Sequence, residues 1–328
     1  MQEAGHYYTV YYVSLAVGFE RNTAYKNALF AQMPDEVTQL DATSLLGDLG
    51  IAFLKYDIIA GDFALTSESS CSLEMVNATT HSIPTIRCRE NPYKKKVASR
   101  LHDAEVQLRL LWTRTILMHK WLHVLNGGDA LKERGFRRDL TTKGKPGTLE
   151  FGLNLHAFGD SYAHTRMSDL EAWFGITFFD DVHKVKRLYK TLIGHGLHFH
   201  APDLINNRPE LYVTYVKELY DALYMAHYNQ LAKSGVVNVE VPTREEKEKT
   251  VNNLRKITNL KTEKQQIESI RATTMGSLMR GYKPEGDTAE ENTPKLFNRF
   301  AAKHGELAGT DLNKIEKIIK SWGKRRKY

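Results

Sequence analysis

The chain has 328 residues, 41% of them hydrophobic, with a formal charge of +7, two cysteines and 13 histidines. That is enough apolar material for one large core or a core with an appendage, and no apolar run reaches the roughly 18 to 20 residues of a membrane-spanning helix. Two cysteines exclude a disulfide framework and any thiolate cluster, so a metal site here must use imidazole and carboxylate.

The modest positive charge suits a polyanionic partner, nucleic acid or an anionic membrane surface, as well as it suits ordinary solubility. Residues 7–19 form the most apolar stretch near the N-terminus. The stretch is short, carries Thr9 and Ser14 and lacks a basic leader. The expectation is a soluble chain, cytoplasmic or exported without a cleavable signal peptide.

In chain order, residues 6–18 are apolar or aromatic on nearly every face, the pattern of a buried helix. A second helix is expected over about 22–33, broken by Pro34-Asp35, and residues 35–46 look helical again. Residues 66–92, rich in Ser, Thr and Asn, read as an extended excursion or loop. It carries Cys71 and Cys88, which are either bridged or two free thiols. Residues 94–124 are predicted to form one long helix, ended by Gly127-Gly128.

Residues 134–147 read as a basic turn closed by Lys145-Pro146-Gly147. A helix follows over about 148–164, with Leu149, Leu153, Phe158 and Tyr162 toward a core and Gly152, Ala157, Gly159 and Ala163 allowing close packing. After a Gly/His-rich loop, Pro209 opens another helix to about Leu231. Composition shifts at 234–242, where 236–241 suits a short strand or linker. Beyond it, helices are expected at about 243–258, 262–281 and 292–304, with a last one over 311–322 and a basic end at Lys324-Arg325-Arg326-Lys327. Strand content is low throughout, which favours an all-α architecture. The organisation expected is a helical metal-binding catalytic domain over 1–233 and a basic helical extension over 243–328.

The chemistry concentrates where histidines cluster. His156, Asp160 and His164 recur at i, i+4 and i+8, so on one helix they form a single stripe with about 6 Å between steps. Asp160 is placed to bridge two cations, each histidine serving the ion on its own side, and the small residues between leave room for ions and a substrate. The competing reading is a helix whose histidines are satisfied by hydrogen bonds, with Asp160 paired to a basic side chain. A second cluster, Gly194-His195-Gly196-Leu197-His198-Phe199-His200-Ala201-Pro202-Asp203, offers His195 and His200 as ligands. Asp203 either completes their shell or orients a histidine. His6, Asp35 and, least securely, His81 are further candidates. His119 and His123 share the i, i+4 spacing but lack the glutamate of H-E-x-x-H, and read as structural or supporting.

The order Gly5-His6-Tyr7-Tyr8, Met33-Pro34-Asp35-Glu36, His156 to His164, Gly194-His195 and His200-Ala201-Pro202-Asp203 resembles a bacterial family of uncharacterised helical proteins. That family is itself similar to zinc-dependent phospholipase C and the single-strand nucleases of its fold. The resemblance covers about residues 5–225. It implies a multi-helix bundle of the phospholipase C type with two or three zinc ions, to which the sequence pattern adds the helical C-terminal extension. In it, His6 serves one metal, Asp35 with His156 another, Asp160 bridges, and His164 with His195 or His200 holds the last. Asp35 also positions or deprotonates the attacking water. Two features depart from the pattern: those enzymes use the free amino terminus as a ligand, whereas Met1 to Gly5 precede His6 here, and they end in His-x3-Glu where this chain has His200-x2-Asp203.

The implied activity is a metal-dependent phosphodiester hydrolase, phospholipase C-like. A metal-dependent nuclease and a non-catalytic helical protein with structural metal are the alternatives. The implied partners are a phospholipid or nucleic-acid substrate and, since similar motif orders occur in bacterial toxin effectors, a cognate inhibitor or secretion partner.

Overall fold

The computed structural model describes residues 1–66, 71–78, 81–88, 92–166, 187–189, 201–235, 243–279 and 309–326. These are mostly helical. The chain forms two compact units, one made of residues 1–40 and 118–328, the other of residues 41–117.

The larger unit begins with a π-helical turn, Ala4–Tyr8, that runs directly into α1, Thr9–Ala16. As the all-round apolar pattern predicts, α1 is buried on nearly every side, Ser14 included. Helix α2, Arg21–Glu36, corrects the sequence reading, because Pro34 lies inside it rather than ending it. The proline sits in the last turn, where its missing N–H costs one backbone bond, and the helix closes normally with Val37 N–H bonding the Met33 carbonyl. Asp35 is thereby held on the helix end instead of in a loop.

The smaller unit contains α3, Ala42–Thr66, packed on α4, Pro92–Leu117. Between them lies an antiparallel hairpin of β1, Cys71–Ala78, and β2, His81–Cys88, so the polar excursion is indeed extended. Its register sets Cys71 opposite Cys88.

The long helix expected to reach Val124 changes pitch after Leu117. Met118–Leu122 is a second π-helical turn, back in the larger unit. Val124 then reverses the chain at φ 57°, a conformation that a β-branched residue adopts only at a cost of about 1–3 kcal/mol.

Residues 134–147 are not a basic turn. Helix α5, Ala130–Lys143, occupies most of that stretch, capped by Asp129, whose carboxylate accepts from Leu131 N–H and Lys132 N–H. Several of its charged side chains are buried, Glu133, Arg134 and Arg137 among them. Arg137 Nε donates to Glu133 Oε1 at 2.8 Å, both side chains fully buried, and Arg137 Nη2 donates to the Trp121 carbonyl.

Thr148 caps α6, Leu149–Ala163, its hydroxyl accepting from Phe151 N–H. α6 crosses α2 at very short range, for an added Cβ at Gly152 would stand 2.2 Å from Phe30 Cβ. Pro209 opens α7, Pro209–Lys233, which packs on α1, α5 and α6. The C-terminal elements belong to the same unit: α8, Arg244–Arg255; α9, Glu263–Ala272; α10, Thr274–Met279; and α11, Gly309–Arg325. The single helix expected over 262–281 is two, separated at Thr273, whose hydroxyl accepts from Gly276 N–H. The candidate helix at 292–304 and the linker at 236–241 lie outside the described residues. No helix among the described residues is long and apolar enough to cross a membrane.

Candidate metal centre

Helix α6 supplies the spine of the site. His156 and Asp160 are buried on one face, and His164 follows as the residue closing the helix. The predicted stripe holds: Asp160 Oδ2 is 3.1 Å from His156 Nε2 and 3.7 Å from His164 Nδ1. Arg208 steadies this end, donating through Nη1 to the carbonyls of Ala163 and Thr165.

The two π-helical turns bring in donors that a regular helix would aim elsewhere, a recurrent use of this geometry. In the first, Gly5 N–H and His6 N–H both bond the Gln2 carbonyl, and Met1 folds back over His6. The Met1 amino group lies 2.8 Å from His6 Nε2, 2.8 Å from Asp160 Oδ1 and 3.4 Å from Asp203 Oδ1. Met1 to Gly5 thus coil back so that the Met1 nitrogen lies within the cluster. His6 stacks on His156 with ring centroids 4.1 Å apart. Gly159 makes room, since a Cβ there would lie 3.0 Å from His6 Cε1.

The second π turn delivers His123, which the sequence reading had taken as structural. Its Nδ1 is 3.4 Å from Asp160 Oδ2 and 3.9 Å from Asp35 Oδ1. The i, i+4 pair His119 and His123 carried the signal, but the change of pitch that aims His123 inward leaves no trace in spacing. The reversal at Val124 follows at once, and the His123 carbonyl accepts from His164 Nδ1–H.

Hydrogen bonds to carbonyls fix the tautomers, because a carbonyl can only accept. His156 Nδ1–H donates to the Ala31 carbonyl at 2.8 Å and His123 Nε2–H donates to the Leu40 carbonyl at 2.8 Å. In the neutral rings the lone pairs of His156 Nε2 and His123 Nδ1 therefore face each other across 3.2 Å. Asp160 Oδ2 stands beside both, fully buried and without a hydrogen bond. With both rings neutral, three electron-pair donors converge, which is unfavourable unless a cation lies among them.

Two trios have donor atoms within 4.8 Å of one another: His123, His156 and Asp160, and His6, Asp35 and His156. A third pole forms where His164 Nε2 meets Asp203 Oδ1 at 3.3 Å, beside the Met1 amine. Asp35 reaches His156 Nε2 at 3.7 Å and His6 Nε2 at 3.8 Å.

The electrostatics prepare these groups for a cation. Burial pushes the Asp160 carboxyl up, but His164, the Met1 ammonium, His156 and His6 together hold it well below the usual carboxylate range. Burial lowers His156 to about 4, partly opposed by Asp160, and burial, the Met1 ammonium and His156 lower His6 well below its ordinary value against the pull of Asp160. His164 moves the other way, because Asp160 and Asp203 outweigh its burial. The Met1 amine, disfavoured as a cation by burial, is raised to about 11 by Asp160, Asp203 and Asp35.

The predicted residues therefore separate. His6, Asp35, His156, Asp160, His164 and Asp203 come together, joined by His123. His195 and His200 lie outside the described residues. His81 opens β2 in the other unit and its side chain is likewise outside them. A family model, that of a family of unknown function (DUF6765), matches residues 1–272. No curated protein and no solved structure matches the chain.

Proposed function

For this chain, which belongs to the family of unknown function DUF6765, we propose a metal-dependent phosphodiester hydrolase of the phospholipase C kind, with two or three zinc ions. The observation that supports the reading is the convergence of His123 Nδ1 and His156 Nε2, 3.2 Å apart, on the buried Asp160 Oδ2. Oxygen and nitrogen donors without sulfur suit zinc, and exclude the soft-metal alternatives.

The residues that would hold metal are His6, His123, His156 and His164 with Asp35, Asp160 and Asp203. Zinc bound there supplies Lewis acidity toward a phosphoryl oxygen and activates water at neutral pH. The chain's own part is to keep three imidazoles oriented through backbone carbonyls and to keep Asp160 ionised. Asp35, the most open of the three carboxylates with 29% of its side chain exposed, is the group we assign to accept the proton of the attacking water at a carboxylate oxygen. Asp160 would help hold the metal and would bear on the reaction through it.

The motif order His6, Asp35, His156-x3-Asp160-x3-His164 suits either phosphodiester, and phospholipid is placed first on the resemblance to the small soluble lipases of that fold. Nucleic acid is second, on the cationic last turn of α11, Lys324 and Arg325. Zinc-loaded protein is assayed on phosphatidylcholine vesicles and on single-stranded DNA, with and without chelator. Hydrolysis of either that is lost with chelator and with Asp35→Asn supports the reading; none with two or three zinc ions bound overturns it.

The second reading, metal as an internal clamp without catalysis, draws on the burial of His6, His123, His156 and Asp160, none more than 2% exposed. That same inactive, zinc-loaded protein is the result it expects.

A further inference from the structure

The π-helical turn at Met118–Leu122 needs support from outside its own helix. It sends His123 N–H to the Met118 carbonyl and Leu125 N–H to the His119 carbonyl. Leu125 therefore does not bond the Trp121 carbonyl, as it would in an α-helix. Arg137 Nη2 takes that carbonyl instead, at 2.6 Å. The strained reversal at Val124 follows at once, and irregular backbone of this kind persists only where the surroundings over-determine it. A return to α pitch over these residues would rotate His123 by roughly a quarter turn about the helix axis, carrying Nδ1 away from Asp160.

The C-terminal helix supplies the support. α11 packs on this turn and engages it in three ways. Gly323 lies against the Trp121 ring, where an added Cβ would stand 3.2 Å from Trp121 Cζ2. Trp322 is fully buried, its ring centroid 4.8 Å from the guanidinium of Arg137, the same side chain that holds the Trp121 carbonyl. Arg326 extends the last turn, its N–H bonding the Trp322 carbonyl. Its Nη1 is 2.6 Å from Glu133 Oε2, and its guanidinium lies 5.6 Å from the Trp121 ring centroid. Glu133 is fully buried, and its Oε1 accepts from Arg137 Nε at 2.8 Å. One carboxylate thus ties α11 to the side chain that fixes the π turn.

We propose that α11 is a positioning element of the metal centre: Trp322, Gly323 and Arg326, acting through Trp121 and Arg137, lock the π turn in the pitch that aims His123 Nδ1 at Asp160 Oδ2. Release of α11 would withdraw His123 and weaken metal binding with every ligand still present. The consequence for metal rests on the reading of His123 as a ligand. The aim of the ring does not, and it is measured without metal.

The test is NMR of the full-length chain with isotope-labelled histidines, in chelator. His123 Nε2–H is bonded to the Leu40 carbonyl and His156 Nδ1–H to the Ala31 carbonyl, and the solvent exchange of each proton reports how firmly its ring is held. Arg326→Met cuts the tie but leaves Glu133 bonded to Arg137 and Asn126, so no buried charge is orphaned. Gly323→Val presses on Trp121 instead. In both variants the His123 proton should exchange at least about tenfold faster while the His156 proton keeps its rate, because only the first belongs to the turn that α11 supports. Zinc affinity, read by competition with a chromophoric chelator, should fall about tenfold. Should Gly323→Val fail to fold, Arg326→Met decides alone. Unchanged exchange at His123 in folded Arg326→Met overturns the proposal. So does equal acceleration of both protons, which would mean that α11 merely adds stability. Faster exchange at His123 with unchanged zinc affinity, or with no zinc bound by the unsubstituted chain, supports the positioning and refutes His123 as a ligand.

Discussion

His123→Phe separates a metal ligand from a structural histidine, because the ring does two different things with its two nitrogens. Nε2–H satisfies the buried Leu40 carbonyl, and Nδ1 faces Asp160 Oδ2 at 3.4 Å and His156 Nε2 at 3.2 Å. Phenylalanine keeps the ring and its packing but removes both nitrogens. Leaving the Leu40 carbonyl unpaired should cost about 1–3 kcal/mol of stability, with metal or without it. Loss of Nδ1 should appear only with metal. Groups that merely orient a ligand change metal affinity by about 10- to 100-fold, so removal of a ligand should exceed about 100-fold, near 2.8 kcal/mol. Competition for zinc against a chromophoric chelator gives the affinity. Thermal unfolding with and without chelator gives the stability. If His123→Phe loses the predicted stability in both conditions yet binds zinc within about threefold of the unsubstituted chain, His123 is structural and the donor geometry has been misread.

Other outcomes follow from the same contacts. Gly152→Ala should destabilise by about 1–3 kcal/mol or more in chemical denaturation, since its Cβ would overlap Phe30 Cβ at 2.2 Å; a change below about 0.5 kcal/mol would mean that α2 and α6 are further apart. Metal-free protein should lose stability as pH falls from 6.5 toward about 4, because the unfolded chain protonates His156 first. That term is worth about 3 kcal/mol and should vanish in a folded His156→Gln variant. His164, raised in the folded state, has the opposite sign and gives up its contribution as pH rises above 6.5. Zinc at one hundred times its dissociation constant should stabilise the chain by about 2.7 kcal/mol per site, read as a rise in melting temperature that chelator reverses; no shift would contradict a native-state site.

What the sequence disclosed and what it concealed divide along physical lines. The Thr148 cap, the i, i+4, i+8 stripe and Pro209 are local signals, and α6 and α7 follow them closely. Donors brought together by tertiary packing were visible only as residue types: Asp35 and Asp203 each needed a turn, one closed around Pro34 and one in the short 3-10 segment Ala201–Asp203. Two local readings failed for different reasons: the charges of the buried Glu133–Arg137 pair made α5 look like a basic turn, and a proline in a final helical turn looked like a break. The π-helical turns at Ala4–Tyr8 and Met118–Leu122 have no periodic signature of their own, so the inward aim of Met1 and His123 could not be read from spacing.

Anomalous diffraction from zinc-soaked crystals, collected on both sides of the zinc absorption edge, bears most directly on the claim that these donors enclose metal. The account predicts a peak among His123 Nδ1, His156 Nε2 and Asp160 Oδ2, with at least one more toward His6 and Asp35 or toward His164 and Asp203. Zinc bound only at surface histidines, with the Met1 ammonium still seated against Asp160, would contradict it.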